Sequence, residues 1–247
     1  MSGHSKWSTI KRKKAVTDSK RAKVFTRVLK EIQIAARDGG SIDGNPRLKR
    51  AVDTAKSNSV PSDNIERAIK RGTGDLEGVD YQEMTYEAYG PCGVGLLIKS
   101  LTDNKNRTVA EVRHALSRYN GSLASANAVS YLFNDFGVIT VSKENINEEE
   151  IFEAAIEAGA NDVSDSEDCW EVMTEVSSLD QVSKILNEKF EKEFEAEIRP
   201  VPDTLIKISG EDTQSLLKLL DALDELDDIQ NVYSNFDIDE KELESLS

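Results

Sequence analysis

A chain of 247 residues with 46 Asp/Glu against 31 Lys/Arg carries a net charge of −15 at pH 7, so as a whole it has no attraction to a polyanion. Its best apolar stretch, Val94 to Ile98, has only the length of a strand, which excludes a membrane-spanning helix. Cys92 and Cys169, with His4 and His114, match no metal-ligand spacing, so the expectation is a cytoplasmic protein with reduced thiols, no metal and no cofactor.

The charge is segregated. Residues 1–75 hold 18 Lys/Arg and 8 Asp/Glu, a net of +10, while residues 76–247 hold 13 and 38, a net of −25. A segment this basic on a body this acidic can take hold of phosphate while the body repels non-specific contacts. The pattern points to a nucleic-acid-binding head on an acidic scaffold, and the length allows one to three domains.

In chain order, residues 1–20 are polar and basic, with few apolar anchors besides Trp7 and Ile10. A helical period follows, with Val24, Val28, Leu29, Ile32 and Ala36 on one face and Lys20, Lys23, Arg27, Lys30 and Arg37 largely opposite, ending at Gly39-Gly40. Pro46 opens a second helix with an apolar stripe of Leu48, Ala51, Val52 and Ala55. Pro61 opens a third, where Asp63 and Glu66 have capping-box spacing and Gly72-Thr73-Gly74 is the stop. These helices form a small helical domain.

From Tyr81 the pattern becomes strands and helices. Val94–Leu101 reads as a buried strand after the Gly90-Pro91 turn, and Arg107–Tyr119 as a helix capped by Asp103, Asn106 or Thr108. Val129–Phe133 and Gly137–Val141 read as adjacent strands around an Asn134–Gly137 turn. Helices are expected at Glu148–Ala158, Leu179–Phe190 and Thr213–Leu226. Strands are expected at Trp170–Val176, Phe194–Val201, Thr204–Ile208 and Ile229–Phe236, with Asn161–Asp168 an acidic loop. Such short βαβ units suit two compact split-βαβ, ferredoxin-like α/β domains after the helical one, an α+β multi-domain architecture.

No catalytic constellation emerges. The pairs Gly72/Gly74 and Gly93/Gly95 lack the remaining residues of phosphate-loop or dinucleotide fingerprints, and acidic runs such as Glu148-Glu149-Glu150 and Asp227-Asp228 read as solvated helix ends. The expectation is a non-enzyme with no small-molecule substrate and no membrane partner.

The candidate site residues are cationic: Lys6, Lys11, Arg12, Lys13, Lys14, Lys20, Arg21, Lys23 and Arg27. Lysine dominates, and it is a point charge suited to phosphate rather than to base edges. Trp7 either stacks on an unpaired base or pins its segment to the helical core. The third helix, with Asn64, Arg67, Lys70 and Arg71, is the single candidate for a recognition helix making base contacts. A polar loop at Thr102–Thr108 feeds the following helix, whose N-terminus is suited to a phosphate as well as to a cap.

Several of these residues carry a resemblance. Gly3-His4-Ser5-Lys6-Trp7, Ile10-Lys11, Val60-Pro61, Arg67-Ala68-Ile69, Tyr89-Gly90-Pro91, Asp227-Asp228 and Asn235-Phe236 together resemble the YebC/PmpR family over essentially the whole chain. Ala88 and Cys92 stand where that pattern leads one to expect glycine, and Asn127-Ala128 where it leads one to expect Gly-Ser. The resemblance implies a helical domain over 1–79, a middle α/β domain from 80–136 plus 203–240, and an inserted acidic domain over 137–202. It further implies a cytoplasmic regulator of gene expression, either a DNA-binding transcriptional regulator acting at promoter regions or a translation factor. The second would associate with the ribosome and its RNA where synthesis stalls on proline-rich chains.

Overall fold

The computed structural model describes residues 18–166, 169–239 and 242, with side chains from Ala22 onward. Lys6, Trp7, Lys11, Arg12, Lys13 and Lys14 lie outside the described residues, as do the side chains of Lys20 and Arg21.

The apolar period beginning at Val24 forms α1 (Asp18–Ala35), and the next two stripes form α2 (Pro46–Ser57) and α3 (Ser62–Thr73). Ile32, Ala35, Leu48, Val52, Ala55 and Ala68 are buried between these helices, with Phe25, Val28 and Leu29 packed against them. Asn45 joins the first two helices. Its side chain accepts from the N–H of Leu48 at 3.0 Å, capping α2, and donates to the carbonyl of Ala35 at 2.7 Å. The capping box expected at Asp63 does not form: Pro61 occupies the N-cap position and Glu66 pairs instead with Lys70 at 2.6 Å. Asp63 sits inside the first turn, where its charge suits the helix dipole but its side chain cannot cap.

Downstream come β1 (Gln82–Tyr89), β2 (Gly95–Thr102), α4 (Lys105–Arg118), β3 (Ser122–Leu123) and β4 (Phe133–Ser142). They are followed by α5 (Glu148–Ala158), β5 (Asp162–Ser166), β6 (Cys169–Thr174), α6 (Leu179–Phe190) and β7 (Glu195–Pro202). The chain continues through β8 (Ile206–Lys207), α7 (Glu211–Asp224), β9 (Ile229–Ser234) and β10 (Phe236–Asp237).

One antiparallel sheet has the order β3-β1-β2-β9. Ala88, Leu96, Ile98 and Val232 point from it to one face, where Val112 and Leu116 of α4 and Leu216, Leu219 and Leu223 of α7 bury them. The second sheet has the order β5-β6-β4-β7, the arrangement of a βαββαβ split sandwich. Ile139, Val141, Trp170 and Val172 face α5 and α6 there. The two halves of the long expected final strand, β9 and β10, are separated by Asn235. Its side chain accepts from the N–H of Gly95 at 2.8 Å and donates to the carbonyl of Thr204 at 3.1 Å, and β10 then pairs in parallel with β8.

Two local expectations are corrected. Val129–Phe133 is not a strand and Asn134–Gly137 is not a turn: a 3-10 turn at Ser130–Leu132 leads into β4, which runs unbroken from Phe133 to Ser142. The Glu87 carboxylate accepts the N–H groups of Val129 and Ser130 at 2.6 and 2.8 Å, removing the donors a strand would need. Gly137 serves packing rather than a bend, since a Cβ there would lie 2.4 Å from Thr174 Oγ1 and 2.8 Å from Leu179 Cβ. The acidic stretch expected as a loop holds β5, an edge strand short enough to tolerate its charges.

Where the resemblance expects glycine, the backbone explains why. Cys92 has φ +56° and Asn127 φ +65°, the left-handed region glycine enters freely and asparagine tolerates. Ala88 is different: it is a fully buried strand residue in the core.

Candidate nucleic-acid interface

The exposed flank expected for α1 is largely an internal contact. Lys23, Arg27 and Lys30 recur at helical spacing, and all three meet the turn that closes α7. Lys23 Nζ lies 2.5 Å from Glu225 Oε2 and 2.6 Å from the Glu225 carbonyl. Arg27 Nη1 donates to Asp224 Oδ1 at 2.8 Å, and its Nη2 donates to the Asp224 carbonyl. Helix α7 has no basic residue in its last turn, so α1 supplies the cations its dipole and free carbonyls favour.

Lys30 is the deepest of the three. Its Nζ donates to Asp228 Oδ1 at 3.1 Å and to the Asp227 carbonyl at 3.0 Å, and it lies 5.1 Å from the centre of the Tyr81 ring. Asp228 also accepts from Thr108 Oγ1 at 2.8 Å, from Thr102 Oγ1 at 3.1 Å and from Arg107 Nη2 at 2.5 Å. Burial opposes its charge, but the hydrogen bonds from Arg107, Thr108 and Lys30 outweigh that and hold the carboxyl below the usual aspartate range. The polar loop at Thr102–Thr108 thus gathers around an anion, the chain's own carboxylate. The residue that caps α4 is Asn104, accepting from the N–H of Arg107 at 3.1 Å, because Asn104 is the last extended residue before the helix.

On α3, Lys70 is tied to Glu66, one turn back, at 2.6 Å. Arg67 donates to the Asp63 carbonyl at 3.1 Å and to Asn64 Oδ1 at 3.3 Å. The Arg71 side chain forms no hydrogen bond or ion pair among the described residues. Asn64, Arg67 and Arg71 form one wall of a cleft of about 310 Å³, opposite Thr26, Leu29, Lys30 and Gln33 of α1, with Tyr81 at its side. Gln33 Nε2 donates to the Val79 carbonyl at 2.6 Å, which fastens the segment before β1 to α1. Gly72 sets how closely the two walls meet: a Cβ there would lie 2.3 Å from the Gln33 carbonyl oxygen. A helix that reads a major groove stands out as a convex ridge, whereas this face of α3 looks into a concavity.

Sequence reasoning thus found Arg67 and Arg71 but missed Gln33 and Tyr81, which carry no cationic signal. It also missed Asp224 and Glu225, and Asp228, expected with Asp227 as a solvated helix end, is instead buried because Lys30, Arg107 and Thr108 close around its carboxylate. Among the described residues no cluster of His, Cys, Asp or Glu could hold a metal, and no helix is long and apolar enough to cross a membrane.

Comparison with known proteins covers nearly the full length. Residues 5–75 match the model described as the TACO1/YebC protein N-terminal domain, and residues 81–236 match the TACO1/YebC second and third domain. A "probable transcriptional regulatory protein" of Geobacter sulfurreducens is 51% identical over 248 residues, all of both chains, and one of Chloroherpeton thalassium is 49% identical, again across both. The crystal structure of a conserved hypothetical protein from Aquifex aeolicus superposes with a TM-score of 0.85 at 42% identity, covering 90% of this chain and 93% of that one. With both family models matched in sequence order and relatives half identical from end to end, this chain belongs to the TACO1/YebC family.

Proposed function

We propose that this chain is a non-enzymatic, cytoplasmic regulator of gene expression that binds nucleic acid through its basic N-terminal region. The observation that carries this reading is the segregation of charge, +10 over residues 1–75 against −25 beyond. Lys6, Lys11, Arg12, Lys13 and Lys14 fall within a stretch, residues 1–17, that contains no acid. With Lys20, Arg21 and Lys70 they form the general phosphate-contacting set, Trp7 lies among the leading residues, and Arg67 and Arg71 add a cationic pair bordering the cleft. Lys23 and Arg27 contribute less, because Glu225 and Asp224 already hold them. The relatives named as transcriptional regulators are consistent with such a role.

A second reading, binding to ribosomal RNA in support of translation, is favoured by the cleft. Asn64, Arg67 and Arg71 border a concavity there, so the single candidate recognition helix lacks the shape for reading a duplex.

Duplex binding and ribosome co-sedimentation, each over a salt series, test both. If six to ten phosphates are engaged, affinity falls by about 10³–10⁵ between 50 and 200 mM salt. A promoter duplex bound more than about 10³-fold over random sequence supports the transcriptional reading. Ribosome association without that ratio supports the translational one, and binding to neither overturns both.

A further inference from the structure

The cleft between α1 and α3 has the dimensions and chemistry of a site rather than of a packing defect. Its volume of about 310 Å³ lies at the small end of ligand sites, and its walls are already fixed. Gly72 locks α3 against the Gln33 backbone, and the Gln33 amide holds the segment that brings in Tyr81. A preformed site spends little on ordering when something enters it.

The charge inside it is uneven. Lys30 is neutralised by Asp228 and bonded to the Asp227 carbonyl, so it has little to offer an incoming anion. Arg71 lacks any such partner among the described residues, and it stands one helical turn from Arg67, whose guanidinium bonds only within its own helix, to the Asp63 carbonyl at 3.1 Å and Asn64 Oδ1 at 3.3 Å, with no carboxylate partner. Two guanidiniums at this spacing suit one phosphate group. Beside them are the Asn64 amide, the Thr26 hydroxyl and the aromatic Tyr81, groups that hydrogen-bond or stack on a base. A base offers its edges and face to such groups only when unpaired, and a cleft this small admits one nucleotide but not a duplex.

We propose that the cleft between α1 and α3 seats one unpaired nucleotide of a single strand, with Arg71 and Arg67 on its phosphate and Asn64 and Tyr81 on its base. The assignment deepens the nucleic-acid reading above and rests on it. The helical domain then binds in a pair of ways, a general hold on phosphate by the leading lysines and a local preference for unpaired segments.

The test uses the full chain and short fluorescein-labelled oligonucleotides of one mixed sequence, as single-stranded RNA, as single-stranded DNA and as duplex. Arg71→Gln keeps the stem that packs beside Gly78 and breaks no side-chain hydrogen bond or ion pair among the described residues, so it should leave the thermal midpoint nearly unchanged and weaken binding of the single strands by about tenfold. Duplex affinity should move by less than about twofold. Lys49→Gln, which removes an exposed charge from α2 away from the cleft, should leave all probes as they were. Equal losses on single strands and duplex in Arg71→Gln, no loss on either, or the same loss in Lys49→Gln overturns the cleft assignment while the general reading stands. A wild-type chain that binds none of the probes at low salt overturns that reading, and the cleft assignment with it.

Discussion

Lys30 and Asp228 stand 198 positions apart and meet at 3.1 Å, both of them buried where α1 meets the turn after α7. Removing one partner of a buried pair leaves the other uncompensated, which costs more than the pair itself contributes. Asp228→Asn should lower unfolding free energy by about 3 kcal/mol, measured in urea.

The same carboxyl sets a pH dependence. Its folded-state pKa lies below the ordinary value, so its contribution is full above about pH 4 and is lost as pH falls through the folded value. The stability gap between wild type and Asp228→Asn should therefore be flat from about pH 5 to 7 and shrink below about pH 4. A gap that widened on acidification would contradict the assignment.

Lys23 and Arg27 are expected to matter more for holding α1 against α7 than for binding. Changing both to Gln should cost about 1 kcal/mol of stability and move nucleic-acid affinity by less than about twofold in filter binding. Reversing the charges of Lys11, Arg12, Lys13 and Lys14 should instead weaken every nucleic acid alike and flatten the salt dependence by roughly 0.9 per lost duplex phosphate contact. A change in sequence preference at constant overall affinity would contradict the phosphate-contact role.

Gly72→Ala drives a methyl group to 2.3 Å from the Gln33 carbonyl oxygen, so α1 and α3 must separate. The expected loss is about 1–3 kcal/mol in thermal or urea unfolding. If the separation is real, Arg71 and Thr26 also move apart, and hydrogen exchange in the last turns of α1 should accelerate.

At Cys92 and Asn127 the backbone is left-handed, and the two should respond differently to glycine. Cys92→Gly relieves the strain of a residue that enters this region reluctantly and should stabilise by about 0.5–1 kcal/mol, even though it gives up the exposed contact from Sγ to Asp212. Asn127→Gly should be close to neutral, because asparagine already accepts this conformation. Thermal midpoints of the two variants, compared side by side, check the contrast.

The helices were legible because a period of 3.6 survives local noise: Val24 to Ala36 and Leu48 to Ala55 announce themselves from hydrophobicity alone. Strand β1 was not, because its inward residues Met84, Tyr86 and Ala88 are a mixed set of which only Ala88 is fully buried, a weak signal even though Glu83, Thr85 and Glu87 alternate with them. Gly137 misled for the opposite reason, since a glycine required by close packing looks in sequence like one required by a turn. At the candidate site, Arg67 and Arg71 were visible as charges. Whether a cation faces solvent, a cleft or a carboxylate depends on residues far along the chain, and α1 meets its acidic partners across separations of 197 to 202 positions.

The acidic turn after α7 bears on how the head behaves when cut away from the rest. A fragment ending near residue 79 would lose Asp224, Glu225 and Asp228 together and bare three cations that the intact chain keeps occupied. Such a fragment would cling to any polyanion more tightly, and with a steeper ionic-strength response, than the protein it came from. The distant carboxylates therefore act as a built-in counterweight, and discrimination between targets belongs to the whole polypeptide rather than to its amino-terminal piece.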